Sequence, residues 1–435
     1  MLKATIRVAS SFLKALAAVT GRSQASNPAY LPIVPPQGAK VSPPGVPLDG
    51  EPCVAVIGVG YVGTHLVETF SSSYRVLGFD ISEARIDKLR AQFSNRTGVK
   101  LTTCKRDLDE ASHFLISVPT PLREDKTVDL SCLKTALETV SAHARLGATV
   151  VIESSLAVGT TRRLLGPICA SHGLFGGMSP ERVDPGRTSP PVRSIPKVVS
   201  GLGGASLAAI VRLYSSVFDT LVQVSCPEVA EMMKLYENCQ RMMGVAFANE
   251  MADACIQHGI DPFEVSRAAA TKPFGYMPFT PSVGVGGPCI PANSYYLLSN
   301  CEFPLLEAAA KKMEARPAEI ARRVTETLIC NGTTQERPRV LVVGVGYKAG
   351  QAVLSNSPGL DLATALAESG KVDVMFADSL VKQEAIPRIC RLADEDWTRS
   401  ALKSFNMIIV TAKQVGMDFG VLRGLGDVRV ETWCQ

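Results

Sequence analysis

The run Cys53-Val-Ala-Val-Ile-Gly58-Val-Gly60-Tyr61-Val62-Gly63 constrains this chain more than any other segment. A short β-rich stretch breaks into Gly-x-Gly-x-x-Gly, and a helix-compatible stretch follows over residues 64–70. A second apolar run, residues 75–80, ends in Asp80, twenty residues after Gly60. Alone, the glycine pattern is weak and could be a turn without a ligand. With a strand before it, a helix after it and an acid at that distance, it is a dinucleotide fingerprint. Gly58 allows the tight turn, Gly60 lets the backbone approach a pyrophosphate, and Gly63 permits close helix–strand packing. The helix N-terminus offers unpaired N–H groups to the phosphates. Asp80 would accept from the adenosine ribose hydroxyls and repel a 2′-phosphate, which favours NAD over NADP.

The α/β rhythm continues. Residues 113–118 and 148–152 read as buried parallel strands around a helix near Leu130–Val140, and they end in Pro119-Thr120-Pro121 and Glu153-Ser154-Ser155. From Pro227 to His258 a helical stretch without internal proline suggests a spine between domains or a dimer interface. Val340–Tyr347 then repeats Val54–Tyr61 at six of eight positions, with Ala349 in the place of Gly63, which predicts a second Rossmann-like unit able to hold another nucleotide. The fold class is therefore α/β: two Rossmann-like parallel-sheet domains joined by a long central helix and a helical middle domain. The predicted domains are 52–205, 206–330 and 331–435, after an extension of residues 1–51.

Residues 1–48 lack Asp and Glu but carry Lys3, Arg7, Lys14 and Arg22, a pattern shared by disordered extensions and organelle import signals. The disordered reading and a cytoplasmic location are preferred over mitochondrial import. A net charge of +4 gives no case for nucleic acid, and no apolar run approaches the ~20 residues needed to cross a bilayer. The twelve cysteines are scattered, with no metal-site spacing, which suits reduced thiols and no bound metal.

One cysteine stands apart. Gly284-Val-Gly286-Gly287-Pro288-Cys289-Ile290-Pro291 presents a thiol between prolines in a glycine-rich loop. Buried Cys is usually a small hydrophobe, but an approachable loop suits a nucleophile that adds to an aldehyde. Lys234 and Asn238 lie four apart on the long helix, where an ammonium and an amide could stabilise an oxyanion or simply face solvent. Glu181, in Ser179-Pro-Glu-Arg182, is a candidate base.

Together these pieces resemble the UDP-glucose/GDP-mannose dehydrogenase family over residues 52–435, in order and spacing. To the motifs above, the resemblance adds Val158-Gly-Thr160, Ser179–Gly186, Glu231–Asn238 and Thr271–Gly275. The Ser-Pro-Glu-Arg and Cys-Ile-Pro variants look like the branch acting on UDP-N-acetyl-hexosamines. The resemblance implies two NAD-consuming oxidations of a sugar C6 alcohol to the carboxylate. Cys289 would hold a thiohemiacetal and then a thioester, Lys234 and Asn238 would stabilise negative charge, and Glu181 would move protons. Ser155 stands where the family has a water-positioning Thr. Tyr61, Val62, Pro119 and Thr120 would lie beside NAD. Lys234, Asn238, Lys272, Phe279, Gly286 and Lys348 would contact a UDP-linked sugar in a homodimer built on the central helix.

Two departures stand out. Asn293 replaces an Asp, keeping its hydrogen-bonding shape but not its charge. Val353-Leu-Ser355-Asn-Ser-Pro358 lacks the acid and arginine of the family's Asp-x-Arg-x-Ser-Pro pattern, and with them a fork for a diphosphate. These leave two alternatives beside the four-electron enzyme: a nucleotide-sugar-binding protein with impaired catalysis, and a two-electron hydroxyacid-type dehydrogenase.

Overall fold

A computed structural model describes residues 51–184, 186–187, 189–330 and 337–434. Most of the N-terminal extension, including the basic residues read above as a targeting or disordered signal, lies outside them. The first strand, β1 (Cys53–Ile57), is buried along its whole length. It is the middle of a parallel sheet covered on both faces, so it reads as an unbroken apolar run without polar alternation. On one side stand β2 (Arg75–Phe79) and β3 (Val99–Thr102). On the other stand β4 (His113–Ile116), β5 (Thr149–Ile152), β6 (Phe175–Met178), β7 (Lys197–Gly201) and β8 (Leu221–Gln223), giving the order β3-β2-β1-β4-β5-β6-β7-β8. Only the β6–β7 pairing is antiparallel. Leu66, Val67, Phe70, Ile210 and Leu213 pack one face, while Phe114, Leu133, Leu137 and Leu165 pack the other. Each such side chain contributes about 1.5–3 kcal/mol on burial, which fixes the helices to the sheet.

The helices on this sheet are α1 (Tyr61–Phe70), α2 (Glu83–Gln92), α3 (Ser131–His143), α4 (Thr160–His172) and α5 (Gly204–Ser215). Strand β8 and helix α5 carry this unit past residue 205, to Gln223. Strand β6 does not read as a strand because its sequence is Phe-Gly-Gly-Met. Those glycines are structural: a Cβ on Gly177 would lie 2.0 Å from the Ser200 carbonyl oxygen of the antiparallel neighbour.

Helix α6 (Pro227–Gln257) spans 31 residues, about 46 Å. Proline at its first position suits the start, where no N–H partner is needed. It packs on α8 (Ile290–Leu298) and α9 (Pro304–Cys330), with the short α7 (Pro262–Ala269) beside its end. Arg316 of α9 ties these parts together. Its guanidinium is buried, meets both Asp253 oxygens of α6 at 2.6 and 2.9 Å, donates to the Ser282 carbonyl and stacks on Trp433.

The second sheet is wholly parallel, in the order β11-β10-β9-β12-β13: β9 (Arg339–Val343), β10 (Asp373–Ala377), β11 (Cys390–Arg391), β12 (Met407–Val410) and β13 (Arg429–Thr432). Helix α10 (Pro358–Glu368) follows β9, and the one-turn α11 (Arg399–Leu402) precedes β12. The repeat of Val54–Tyr61 is real in the strand and glycine turn, but residues 347–357 intervene before α10 begins. Gly359, and not Ala349, therefore takes the role of Gly63. A Cβ on Gly63 would strike the Gly58 carbonyl oxygen, and one on Gly359 would lie 2.9 Å from the Gly344 carbonyl oxygen. Ser117 and Thr411 donate to those same two carbonyls. Asp378 matches Asp80, accepting from Gly346 N as Asp80 accepts from Val59 N. It is buried, however, and Gln414 bonds both it and the Gly350 and Gln351 backbone. The second turn is therefore filled by protein where the first is open, and its inserted loop projects into the cleft described next.

Candidate active site

In both sheets the strand order reverses beside the first strand, and ligands of open α/β sheets gather beyond the carboxyl ends at that point. A cleft of about 630 Å³ lies there in the first domain. Gly60, Tyr61 and Val62 line it with Ser117–Glu124, Lys126, Glu153–Ser155, Glu181, Lys234, Cys289, Asn293, Tyr296, Ser355 and Asn356.

The dinucleotide side fits its ligand. Gly58 has φ +86°, a left-handed conformation that favours glycine, and a Cβ on Gly60 would meet nothing within 4 Å. That open face lies at the start of α1, whose first N–H groups have no side-chain cap. Asp80 stands at the end of β2, its two oxygens accepting from Val59 N and Ser82 N at 3.0 Å each. At Gly63 a Cβ would lie 1.9 Å from the Gly58 carbonyl oxygen, a clash with backbone that no rotamer relieves. Gly63→Ala is expected to cost about 2 kcal/mol of stability and to weaken NADH binding at least ~10-fold, since the turn itself must shift. A thermal melt beside an NADH fluorescence titration checks both effects.

The opposite wall carries the thiol. Cys289 immediately precedes α8, with the Asn293 N–H donating to its carbonyl at 2.9 Å, so the sulfur sits at the positive end of a helix. It is exposed to the cleft. The surrounding protein pushes its pKa up, the Lys234 ammonium pulls it down, Asp184 pushes it up, and the net shift is upward. Burial lowers Lys234, with Cys289, Glu237 and Glu181 partly restoring it. The glycines before Cys289 allow close approach of the C-terminal domain. A Cβ on Gly286 would lie 2.8 Å from the Asn356 carbonyl, and one on Gly287 would lie 2.8 Å from the Tyr347 ring. Asn356, at φ +47°, zips to Gly287 through N–H···O bonds in both directions.

The expected residues do not all sit together. Asn238 is buried behind the wall. Its Nδ2 donates to Asn293 Oδ1 at 2.7 Å, so that N–H is committed to orienting Asn293 and is not free for an oxyanion. Thr120 Oγ1 donates to the Ser155 carbonyl. Pro119 and Ser155 line the cleft. Lys348 pairs with Asp184 at 2.9 Å. Lys272 and Phe279 lie elsewhere: Lys272 sits over the Phe274 ring, and Phe279 packs on Gly244 in an apolar groove along α6.

Several residues were not anticipated. Tyr296 of α8 donates its hydroxyl to the Thr120 carbonyl, joining the thiol helix to the dinucleotide loop. Glu153, Lys197 and Tyr214 form a buried polar cluster behind Glu181. Glu153 follows β5, Lys197 opens β7 and Tyr214 lies on α5, so no local sequence pattern marks them.

An open dinucleotide turn facing a thiol at a helix start, between two parallel-sheet domains, is the architecture of an NAD-dependent dehydrogenase. Comparison with known proteins narrows the class. The chain matches the NAD binding domain of the UDP-glucose/GDP-mannose dehydrogenase family over residues 53–220 and its central domain over residues 228–314, and it belongs to that family. It is 32% identical over 350 residues to the UDP-N-acetyl-D-glucosamine 6-dehydrogenase of Pseudomonas aeruginosa, covering 74% of this chain and 82% of that one. It is likewise 32% identical over 367 residues to the UDP-N-acetyl-D-mannosamine dehydrogenase of Pyrococcus horikoshii, covering 78% and 87%. The solved UDP-D-ManNAc dehydrogenase from P. horikoshii superposes with a TM-score of 0.78 at 27% identity, over 88% of this chain and 95% of that one. The chain is thus an NAD-dependent nucleotide-sugar dehydrogenase. Among the described residues no helix is long and apolar enough to cross a membrane.

Proposed function

We propose that this protein oxidises C6 of a UDP-linked N-acetylhexosamine from alcohol to carboxylate, through a covalent thioester on Cys289. The observation that carries this is the shared cleft: the thiol and the dinucleotide turn open into the same space. When bound, NAD supplies the two-electron acceptor for each oxidation. Cys289 adds to the aldehyde carbon, and Lys234, coupled to it, stabilises the oxygen that becomes negative. Asn293 accepts from Asn238 through Oδ1, which leaves its own amide N–H groups to donate toward the cleft it lines. Glu181 and Ser155 hold the water that opens the thioester.

Ser355 lies in the wall where the resemblance places an arginine. Arg123 and Lys126 line the same cleft, and their ion pairs with Asp129 and Glu314 are exposed, so both can exchange toward a diphosphate. The names of the two relatives support an N-acetylhexosamine. The free thiols suit a cytoplasmic location. Incubation with NAD and a panel of UDP- and GDP-sugars tests the reading. Two NADH per sugar support it, one points to a hydroxyacid-type reaction, and none across the panel to a binding role.

The chain would act as a homodimer. Val229, Met232, Tyr236, Met243, Phe247 and Met251 fall three, four or seven residues apart along α6, forming one apolar stripe, and five of them are exposed. The stripe continues into a groove of about 580 Å³ with Val265 and Phe279. Phe247→Glu is expected to weaken dimerisation at least ~30-fold and to shift sedimentation from dimer to monomer. An unchanged dimer would place the interface elsewhere.

A further inference from the structure

The family's Asp is an amide here, yet oxidation of an alcohol still needs somewhere to put a proton. The thiol wall supplies no carboxylate among the residues lining the cleft; the dinucleotide wall supplies three, Glu124, Glu153 and Glu181, of which the last two share a lysine. Glu181 caps its own turn, its Oε1 accepting from the Arg182 and Val183 N–H groups at 2.7 Å each. Its Oε2 lies 3.7 Å from Lys197 Nζ. The same ammonium donates to Glu153 Oε2 at 2.5 Å and to the Pro180 carbonyl at 3.3 Å. Tyr214 donates its hydroxyl to the other Glu153 oxygen. The side chains of Lys197 and Glu153 are almost wholly buried.

The charge count is uneven. One buried ammonium faces two carboxylates, and a low-dielectric site cannot hold the second negative charge cheaply. The remaining charges facing the cluster are Lys234, from α6, and Arg182, which is itself paired to Glu237 at 2.5 Å. Such a cluster favours carrying one further proton.

We propose that the proton acceptor for alcohol oxidation in this chain is the Glu181–Lys197–Glu153 chain, doing what the amide at 293 cannot. This rests on the dehydrogenase reading above. As C6 releases its hydride to the bound nicotinamide, the hydroxyl O–H bond breaks and its proton passes to Glu181. Lys197 gives one ammonium proton to Glu153 and is replenished from Glu181. The net change is one proton moved from the hydroxyl to Glu153, with Lys197 and Glu181 restored. Glu181 touches substrate; Lys197 and Glu153 are positioning residues.

The acidities favour that direction. Burial raises Glu153 to about 7, although Lys197 opposes it. At Glu181 burial also raises the pKa, but Lys197, the two backbone N–H groups and Lys234 outweigh it and leave the carboxyl below its usual range. A proton on Glu181 therefore runs downhill to Glu153.

The test is the pH dependence of the first NADH formed in a stopped-flow single turnover, run beside an infrared titration of the substrate-free protein. In the native protein the rate should fall below a midpoint near 7, because Glu153 must be ionised to accept. Glu153→Gln should lose ~100-fold in rate at pH 8 with KM little changed, and the limb near 7 should vanish. Tyr214→Phe, a milder change, removes a donor to the ionised carboxylate and should move the limb to higher pH. The infrared spectrum should show a protonated-carboxyl band titrating near 7, absent in Glu153→Gln. A limb near 7 that survives in Glu153→Gln, or a Glu153 band titrating in the ordinary carboxylate range, overturns the relay alone. No NADH from any nucleotide sugar overturns the dehydrogenase reading and the relay with it.

Discussion

Cys289→Ser is expected to form no uronate and to release at most one NADH per nucleotide sugar, with carboxylate production down on the order of 10⁴-fold. The thiol stands at the first turn of a nine-residue helix, exposed to the cleft, with an ammonium coupled to it. A hydroxyl there is nearly isosteric, so the melting behaviour should hardly change. It is a poor nucleophile without an adjacent base, and among the described residues the carboxylates lining this cleft stand on the other wall. The aldehyde would then escape or stay bound unreacted. High-performance anion exchange of the products, run against the NADH trace, separates these outcomes from normal turnover. Full uronate production by the serine variant would mean that the second oxidation proceeds without covalent capture.

Lys234→Met should lower kcat about 10²–10³-fold, the usual loss when one preorganised charge at a developing oxyanion is removed. A second effect follows from the same atom. The ammonium pulls the Cys289 pKa down against burial, so without it the thiol titrates still higher and iodoacetamide labelling at neutral pH slows. Stability should move the other way. Burial holds the folded-state pKa of Lys234 below its unfolded value, so the charged form costs folding free energy wherever pH lies below the unfolded value. Replacing it with an apolar side chain of similar length is therefore neutral or mildly stabilising. A fall in kcat with unchanged labelling would confine Lys234 to the oxyanion. Unchanged kcat would remove it from the chemistry altogether.

Those residues were legible in the sequence for one reason: glycine turns and the cysteine loop carry chemistry on short, rigid spacing. Gly58, Gly60, Gly63 and Asp80 fall within one strand–helix–strand unit, and Cys289 to Asn293 within one helical turn. The parallel strands were legible as unbroken apolar runs because both faces are covered. Strand β6 was not, because its Gly176 and Gly177 serve interstrand packing and locally resemble a turn. The eleven-residue insertion after Gly346 hid the match between Gly359 and Gly63, since the echo places Ala349 there. The Glu153–Lys197–Tyr214 cluster was invisible for a different reason. Its members stand 44 and 61 residues apart along the chain and meet only when β5, β7 and α5 close on one another. Asn238 shows the opposite error. Its spacing from Lys234 places it on the same helix face, but the sequence does not disclose that the Asn293 carbonyl already occupies its amide.

Capture of the aldehyde on sulfur is read most directly by acid-quenching the protein during steady turnover with NAD and a UDP-N-acetylhexosamine, then weighing the peptide that contains Cys289. The expected result is a fraction of that peptide heavier by the nucleotide-sugar acyl group and released by hydroxylamine. A peptide that stays unmodified while uronate accumulates would contradict it.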